Sequence, residues 1–310
     1  MEKRTRYLSA RDGLNIFTRI WAKKNGEPSK GVIHILHGMA EHSFRYQRFA
    51  KNLVASGYAV VAHDHRGHGE TGKKSGIKGF WGNVSGWDAV IDDVFQVNSW
   101  ISKQFPKQKI CLFGHSMGSF IAQGYALKYP NSISGVILSG SNYDIPAKLK
   151  IARLIALFET YRQGKQKYSP VIHFLSFSKF NRQFTPTRTN YDWLSRDEKE
   201  VDRYIDDNEC GFRCSNQLWV DLLGGMASIF SQDFPASLEK VPFYILAGEE
   251  DPVGGQLGNE KLKEFLAHKG VEEIKIKVFP RARHEILNET NRKEVELAII
   301  SWLQDSFLRK

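Results

Sequence analysis

Three cysteines in 310 residues are too few, and odd in number, for the disulfide framework of a small secreted scaffold. Cys210 and Cys214 could touch across one turn if their stretch were helical, but two thiols alone make neither a zinc site nor a structural bridge. Free thiols in a reducing compartment are expected. No segment approaches the roughly 18 apolar residues of a spanning helix. The opening MEKRTRYLSARDGLNIF also lacks the continuous apolar stretch of a signal peptide. The expectation is an intracellular, cytoplasmic chain. Internal repeats and low-complexity linkers are missing as well, so no independent module is marked off.

What is present is ordinary for a folded chain with a sizeable core: 41% hydrophobic residues and 25% charged. The net charge of +10 is unevenly spread. Between Pro146 and Arg188 lie nine Lys or Arg residues and one acid, Glu159, whereas Tyr191 to Glu209 reverses the sign. Such a balance could serve nucleic acid, an anionic membrane or an acidic substrate. Nucleic acid is disfavoured, because the basic stretch has no groove-reading module and its aromatics interleave as packing residues do.

Short apolar runs alternate with segments of helical period, the pattern of a mostly parallel sheet covered by helices on both faces. Strands are expected at Gly31 to Leu36, Tyr58 to His63, Lys109 to Phe113, Gly135 to Ser139, Pro242 to Ala247 and Ile274 to Phe279. Tyr7 to Ala10 and Asn15 to Trp21 flank Arg11-Asp12-Gly13 and predict an edge hairpin. Val84, Trp87, Ile91, Val94, Val97 and Ile101 mark one helix, stopped at Phe105-Pro106. Others are expected from Ser116 to Tyr129 and after Thr290. From Asn142 to Lys240 the alternation breaks into helical pattern without strands. The expected organisation is a core of residues 1–141 and 241–310 with a helical cap inserted at 142–240.

In KICLFGHSMGSF, a strand runs through GxSxG into a helix. A serine at so tight a turn takes a strained backbone, and side chains two residues to either side would collide, hence Gly114 and Gly118. The helix N-terminus behind it favours developing negative charge. Since a serine hydroxyl is a weak nucleophile, it needs a base and a carboxylate that orients the base. GEEDPVGG ends one strand, where active sites of open α/β sheets form. Glu249 and Glu250 compete with Asp251 for the acid's role, and Asp251 is preferred because Pro252 and Gly254 suggest a fixed turn. PRARHEILNE ends the next strand and offers His284 as base.

Acyl transfer also needs oxyanion donors. The loop in HILHGMAEH and the start of the GxSxG helix supply the backbone N–H groups of Met39 and Met117. AHDHRGHGET crowds His63, Asp64, His65 and His68 together. Without a further ligand cluster it reads as a turn tied by Asp64 and Arg66 rather than a metal site.

HGMAEHSFRY, HDHRGHG, GHSMGS, GEEDPVG and RHE, in that order, resemble the monoacylglycerol lipase and lysophospholipase-like branch of the α/β-hydrolases. The resemblance covers nearly the whole chain, including NYDWLSRDEKEVDRYIDDNECGF in the insertion. It implies an α/β-hydrolase fold with an eight-stranded core and a helical cap, and acyl-ester hydrolysis without cofactor or metal. It places the nucleophile on Ser116, the acid on Asp251, the base on His284 and the oxyanion donors on Met39 and Met117. The implied substrate is a small lipid ester. A short-chain esterase, an aminopeptidase-like hydrolase and a slow-turnover binding or sensor protein are the alternatives.

Within Pro146 to Arg162, Leu149, Ala152, Ile155, Leu157 and Phe158 can share an apolar face while Lys148, Lys150, Arg153 and Arg162 decorate the rest. Either this face packs on the core beneath a solvated basic surface, or the basic segment 146–188 makes peripheral contact with anionic membrane.

Overall fold

A computed structural model describes residues 1–24, 28 and 30–308. Eight strands form one sheet: β1 (Glu2–Ser9), β2 (Asn15–Ala22), β3 (Val32–Leu36), β4 (Ala59–His63), β5 (Ile110–His115), β6 (Gly135–Ser139), β7 (Phe243–Gly248) and β8 (Ile274–Phe279). They lie in the order β1-β2-β4-β3-β5-β6-β7-β8. β2 runs antiparallel to both neighbours, and every pairing from β4 through β8 is parallel. The first hairpin is closed by Ala10 and Leu14, with Gly13 at φ 84°.

The helices are α1 (Gln47–Ala55), α2 (Gly69–Ser75), α3 (Gly86–Gln104), α4 (Met117–Lys128), α5 (Pro146–Gln163), α6 (Pro170–His173), α7 (Lys179–Arg182), α8 (Glu198–Asp206), α9 (Asn216–Ser231), α10 (Gly255–His268) and α11 (Arg292–Trp302). A π-helical turn, Phe174–Ser178, joins α6 to α7 without a break. No helix among the described residues is long and apolar enough to cross a membrane.

The period-2 alternation of a strand sends its side chains to opposite faces, and here each face has its own helices. Phe113, Ile137 and Leu246 pack with Phe49 and Leu53 of α1 and Val295 and Ile299 of α11. Their neighbours Leu112, Val136 and Ile245 pack with Val90 of α3, Ile121 of α4 and Leu262 of α10. Burial on both faces accounts for the short, continuously apolar strands.

Between β6 and β7 the chain leaves the sheet, and the described residues there form no strand. α9 brings Leu218, Leu222 and Met226 onto the α3/α4 side of the core, and α5 packs against α9 through Ala156 and Val220. Two sequence expectations change here. Cys210 and Cys214 lie in a turn and an extended segment rather than on a helix, both as free thiols. The buried stripe of α5 is Leu149, Ala156 and Glu159, while Ile155, Leu157 and Phe158 are exposed. Small residues let α5 approach α9 closely, so its larger apolar side chains are left on the outer surface. Glu159 is buried because Arg162, Gln163 and Ser169 all donate to it.

Candidate active site

β5 delivers its chain directly into α4, and Ser116 occupies the turn at φ 52°, ψ −120°. Only close glycine packing permits that turn. A Cβ on Gly118 would sit 2.1 Å from the Leu36 carbonyl oxygen, and one on Gly114 would sit 2.4 Å from the Gly118 carbonyl oxygen. The Ser116 N–H donates to Ser139 O on β6, and Ser119 returns two bonds to Ser116 O. The serine is thus held at the C-terminal edge of the sheet by backbone contacts on both sides.

Asp251 and His284 follow β7 and β8 at the same edge. His284 Nδ1 donates to Asp251 Oδ1 at 2.9 Å, and the same oxygen accepts the Val253 N–H. Asp251 is buried, whereas Glu249 and Glu250 are exposed and Glu249 accepts from the Arg281 N–H. Burial pushes the His284 pKa down, but the charge of Asp251 and its hydrogen bond outweigh burial, and the pKa lies above its ordinary value. Ser116 and His284 line one small cavity with Met39 and Trp193. Among the described residues Ser116 Oγ and His284 do not share a hydrogen bond, a separation common before substrate is bound.

Met39 and Met117 flank the serine on the β3 loop and at the first turn of α4. Among the described residues their N–H groups take no part in the turn and loop hydrogen bonds around them. The loop is fixed from below: Glu41 Oε1 accepts the Gly38 N–H at 2.5 Å and the Tyr46 hydroxyl at 2.8 Å. Arg45 donates to Glu41 and makes a two-pronged bond to Glu285, beside His284, at 2.6 and 2.7 Å. Burial alone would raise both carboxyls, but the Arg45 charge holds them low, Glu41 at about 2. One half-buried arginine therefore ties the Met39 loop to the histidine loop.

Sequence reasoning did not assign this network, although Glu41 and Arg45 stand in HGMAEHSFRY and Glu285 in RHE. It also missed Trp193. That ring lies 4.9 Å from the His284 ring, centroid to centroid, and Phe177 also stacks on it. The segment is pinned by His284 N–H to Trp193 O, Glu285 N–H to Leu194 O and Arg283 to Asp192 O.

In HDHRGHG, Asp64 accepts from Ser43 and the Glu70 N–H, while Arg66 grips Asp93 with two bonds and also reaches Asp12. The group among the described residues whose donor atoms could share an ion is elsewhere: His42, Asp207 and Cys210, within 4.8 Å of one another. His42 and Asp207 are already bonded at 2.9 Å, and burial pushes the Cys210 thiol up, keeping it in its poorly ligating protonated form.

Two larger cavities adjoin the small one. One, about 390 Å³, includes Ser116 and is walled by apolar side chains such as Phe120, Leu149, Leu222 and Met226. The other, about 520 Å³ and predominantly polar, meets the small cavity at His173, Phe177, Tyr191, Gly211 and Arg213.

A family model described as serine aminopeptidase, S33, matches residues 27–291. The chain is 26% identical over 295 residues to a monoacylglycerol lipase of Mycolicibacterium smegmatis, covering 94% of this chain and 93% of that one. It is 27% identical to the monoglyceride lipase of Homo sapiens, covering 92% and 88%. Among solved structures, a thermostable carboxyl esterase from Bacillus coagulans superposes with TM-score 0.87 at 28% identity, covering 99% of each chain. With the sheet order, the inserted helices and the serine turn, these likenesses show that the chain belongs to the serine aminopeptidase S33 family of α/β-hydrolases, in its monoacylglycerol lipase-like branch.

Proposed function

We propose that the chain is a serine carboxylic-ester hydrolase acting on small lipid esters, monoacylglycerol or lysophospholipid, through Ser116, His284 and Asp251. The observation that carries this reading is a strained serine that lines an apolar cavity and shares a small adjoining one with a carboxylate-bound histidine. His284 Nε2 takes the proton of Ser116 as Oγ attacks the ester carbonyl, and the Met39 and Met117 amides receive the oxyanion. The alcohol departs with the proton from His284. Water, deprotonated by the same imidazole, then releases the acid from the acyl-enzyme. Asp251 fixes the Nδ1–H tautomer and stabilises the imidazolium. No cofactor or metal enters this scheme.

The relatives named for monoacylglycerol and a probable lysophospholipase L2 of Haemophilus influenzae, 24% identical over 92% of this chain, support a lipid ester as substrate. An aminopeptidase must meet a substrate ammonium with a carboxylate. The acids lining the serine's own and apolar cavities are Glu41, Glu285 and Asp144, each already paired with Arg45 or Lys148. This favours the ester reading.

Residues 142–240 act in this proposal as a cap over a core of 1–141 and 241–310. The outer face of α5, with Ile151, Leu154 and Phe158 exposed beside Lys148, Lys150 and Arg153, would rest on an anionic membrane surface. Sedimentation with neutral and anionic vesicles tests this contact: equal, salt-independent binding would refute its electrostatic part.

Ser116→Ala should lower kcat by on the order of 10⁴ to 10⁶ against a monoacylglycerol, with an unchanged melting curve. A fluorophosphonate should label the wild type on the Ser116 peptide. Full turnover by the alanine variant, or labelling elsewhere, would refute the assignment.

A further inference from the structure

The apolar cavity accounts for an acyl chain, whereas the polar chamber, which joins the small cavity of Ser116 and His284 at His173 and Arg213, has a different chemistry. Its lining contains Arg182, Arg213 and His173 and no acidic side chain. Among the described residues neither arginine has a carboxylate within ion-pair distance, although most arginines nearer the core do. Each guanidinium instead lies against an aromatic ring, Arg182 4.3 Å from the Phe174 centroid and Arg213 5.2 Å from that of Tyr168. Such stacking orients the plane and leaves the N–H edge available for an oxyanion.

Several neighbouring polar groups are already engaged. Asn181 bonds to Thr189 O and the Trp193 N–H, Thr185 to Arg182 O, and the Tyr191 hydroxyl to Gly211 O. The two arginines are therefore the chamber's charged recognition groups, with Ser178, Thr187 and Asn190 as further polar lining. Arg213 stands at the junction with the cavity that holds Ser116 and His284, beside His173, whose imidazole burial and the Arg213 charge keep in the neutral form.

We infer that this chamber is an anion subsite, formed by Arg213, His173 and Arg182, for a phosphate carried on the alcohol portion of the ester. The inference rests on the proposed ester hydrolysis and narrows it: the preferred substrate is a lysophospholipid, and a monoacylglycerol lacks the group that the chamber binds. The bond broken is the acyl C–O bond. The oxygen of water ends in the fatty acid, and the alcohol leaves protonated as glycerol phosphate or its headgroup ester, with the phosphoester bond intact. The apolar cavity meets Ser116 directly and the arginine-bearing chamber meets the small cavity at His173 and Arg213, so the two also fix which end of the lipid lies where.

The test compares kcat/KM for lysophosphatidic acid, lysophosphatidylcholine and a monoacylglycerol of the same acyl chain, in wild type and in Arg213→Gln. Wild type should prefer the two phosphate-bearing esters, with a preference that weakens as salt is added. Arg213→Gln should lower the phosphate-to-glycerol preference about 10- to 100-fold, the range for losing one charge-assisted hydrogen bond, chiefly through KM. Arg213→Lys should restore part of it. Calorimetry with sn-glycerol 3-phosphate on Ser116→Ala separates binding from turnover: binding is expected there and should be lost when Arg213→Gln is added.

A wild-type enzyme indifferent to phosphate, or a preference unmoved by Arg213→Gln and by Arg182→Gln, would overturn the subsite while leaving ester hydrolysis standing. Absence of turnover on all three esters, with glycerol phosphate still bound through Arg213, would instead overturn the hydrolase proposal and keep the anion site.

Discussion

Acidification should unfold this chain well before its carboxylates titrate, because a file of histidines is buried in the neutral form. His34, His37, His63, His65 and His68 are fully buried behind the active-site loops. His34 bonds to Asn98 at 2.7 Å and to His63 at 2.9 Å, and the rings of His63, His65 and His37 follow within 4.3 to 4.6 Å of one another. The contacts require neutrality: His37 donates from Nδ1 to Gly38 O while its Nε2 accepts the His65 N–H. Burial pushes His34 down to about 4 and His68 to about 3, and burial with the neighbouring imidazoles pushes His63 and His65 well below the ordinary range.

A histidine whose folded pKa is depressed leaves the unfolded chain binding more protons as pH falls below 6.5, so stability is lost on acidification. Each such group costs up to about 1.4 kcal/mol per pH unit, and with His115, also pushed down to about 4 by burial, His34, His63, His65 and His68 together cost about 8 kcal/mol between pH 6.5 and 5. Asp93, raised to about 6 by burial, acts oppositely and returns about 1.4 kcal/mol between pH 6 and 5. Asp221, also raised to about 6 by burial, is partly solvated and returns less. His284, raised, keeps its full stabilisation below pH 6.5 and loses it only as pH rises above that value, and Glu41 and Glu285, lowered, lose theirs below 4.5, so none of them sets the slope in this window.

The net loss is about 5 to 6 kcal/mol, comparable with the whole stability of many domains. Urea unfolding at pH 7.5, 6.5, 5.5 and 5.0 measures it. His65→Leu is the diagnostic variant, because neither ring nitrogen of His65 has a partner among the described residues. It should reduce the loss by about 2 kcal/mol. A stability flat from pH 6.5 to 5, or a His65→Leu profile parallel to wild type, would refute the reasoning.

Asp251→Asn should lower kcat by on the order of 10⁴ by favouring the wrong imidazole tautomer. Glu250→Gln, at an exposed position, should stay within about twofold of wild type by ester hydrolysis, since a distant solvated acid has little leverage on the imidazole. Gly118→Ala drives a methyl group onto the Leu36 and His37 carbonyl oxygens and should cost at least about 3 kcal/mol, read as a lowered melting temperature. Arg45→Met leaves Glu41 and Glu285 buried without their cation and should cost about 3 to 5 kcal/mol, read as a lower urea midpoint at unchanged slope. A loss under about 1 kcal/mol would mean that the two loops are held by other contacts.

The parts of the molecule legible in the sequence are those whose cause is local. Strand, serine turn and helix fall within KICLFGHSMGSF, and the steric need for Gly114 and Gly118 follows from the turn itself. Asp251 and His284 could be placed because each directly follows a recognisable strand. The salt bridge between Arg45 and Glu285 joins segments 240 residues apart, and the Trp193 ring reaches His284 from the far side of the insertion. No spacing announces such meetings, because they are set by how the inserted helices settle on the sheet edge.

α5 shows why periodicity also misjudged a whole face. The spacing of apolar residues along a helix identifies its buried side only when the other side is polar. Along α5, Leu149 and Ala152 turn into the acyl-sized cavity, Ala156 packs toward α9, and Ile151, Leu154 and Phe158 face outward, Phe158 at 62% exposure. The protein interior satisfies the first two groups and leaves the third in contact with water, although Lys148, Lys150 and Arg153 share the same turns. Covering that outer face with lipid would remove its cost and bring the cavity wall formed by the same helix next to the acyl chains. Under the proposed membrane contact, apolar residues all round α5 would be no failure of amphipathic design, since the helix would then lie between an acyl cavity and lipid and have two apolar neighbours.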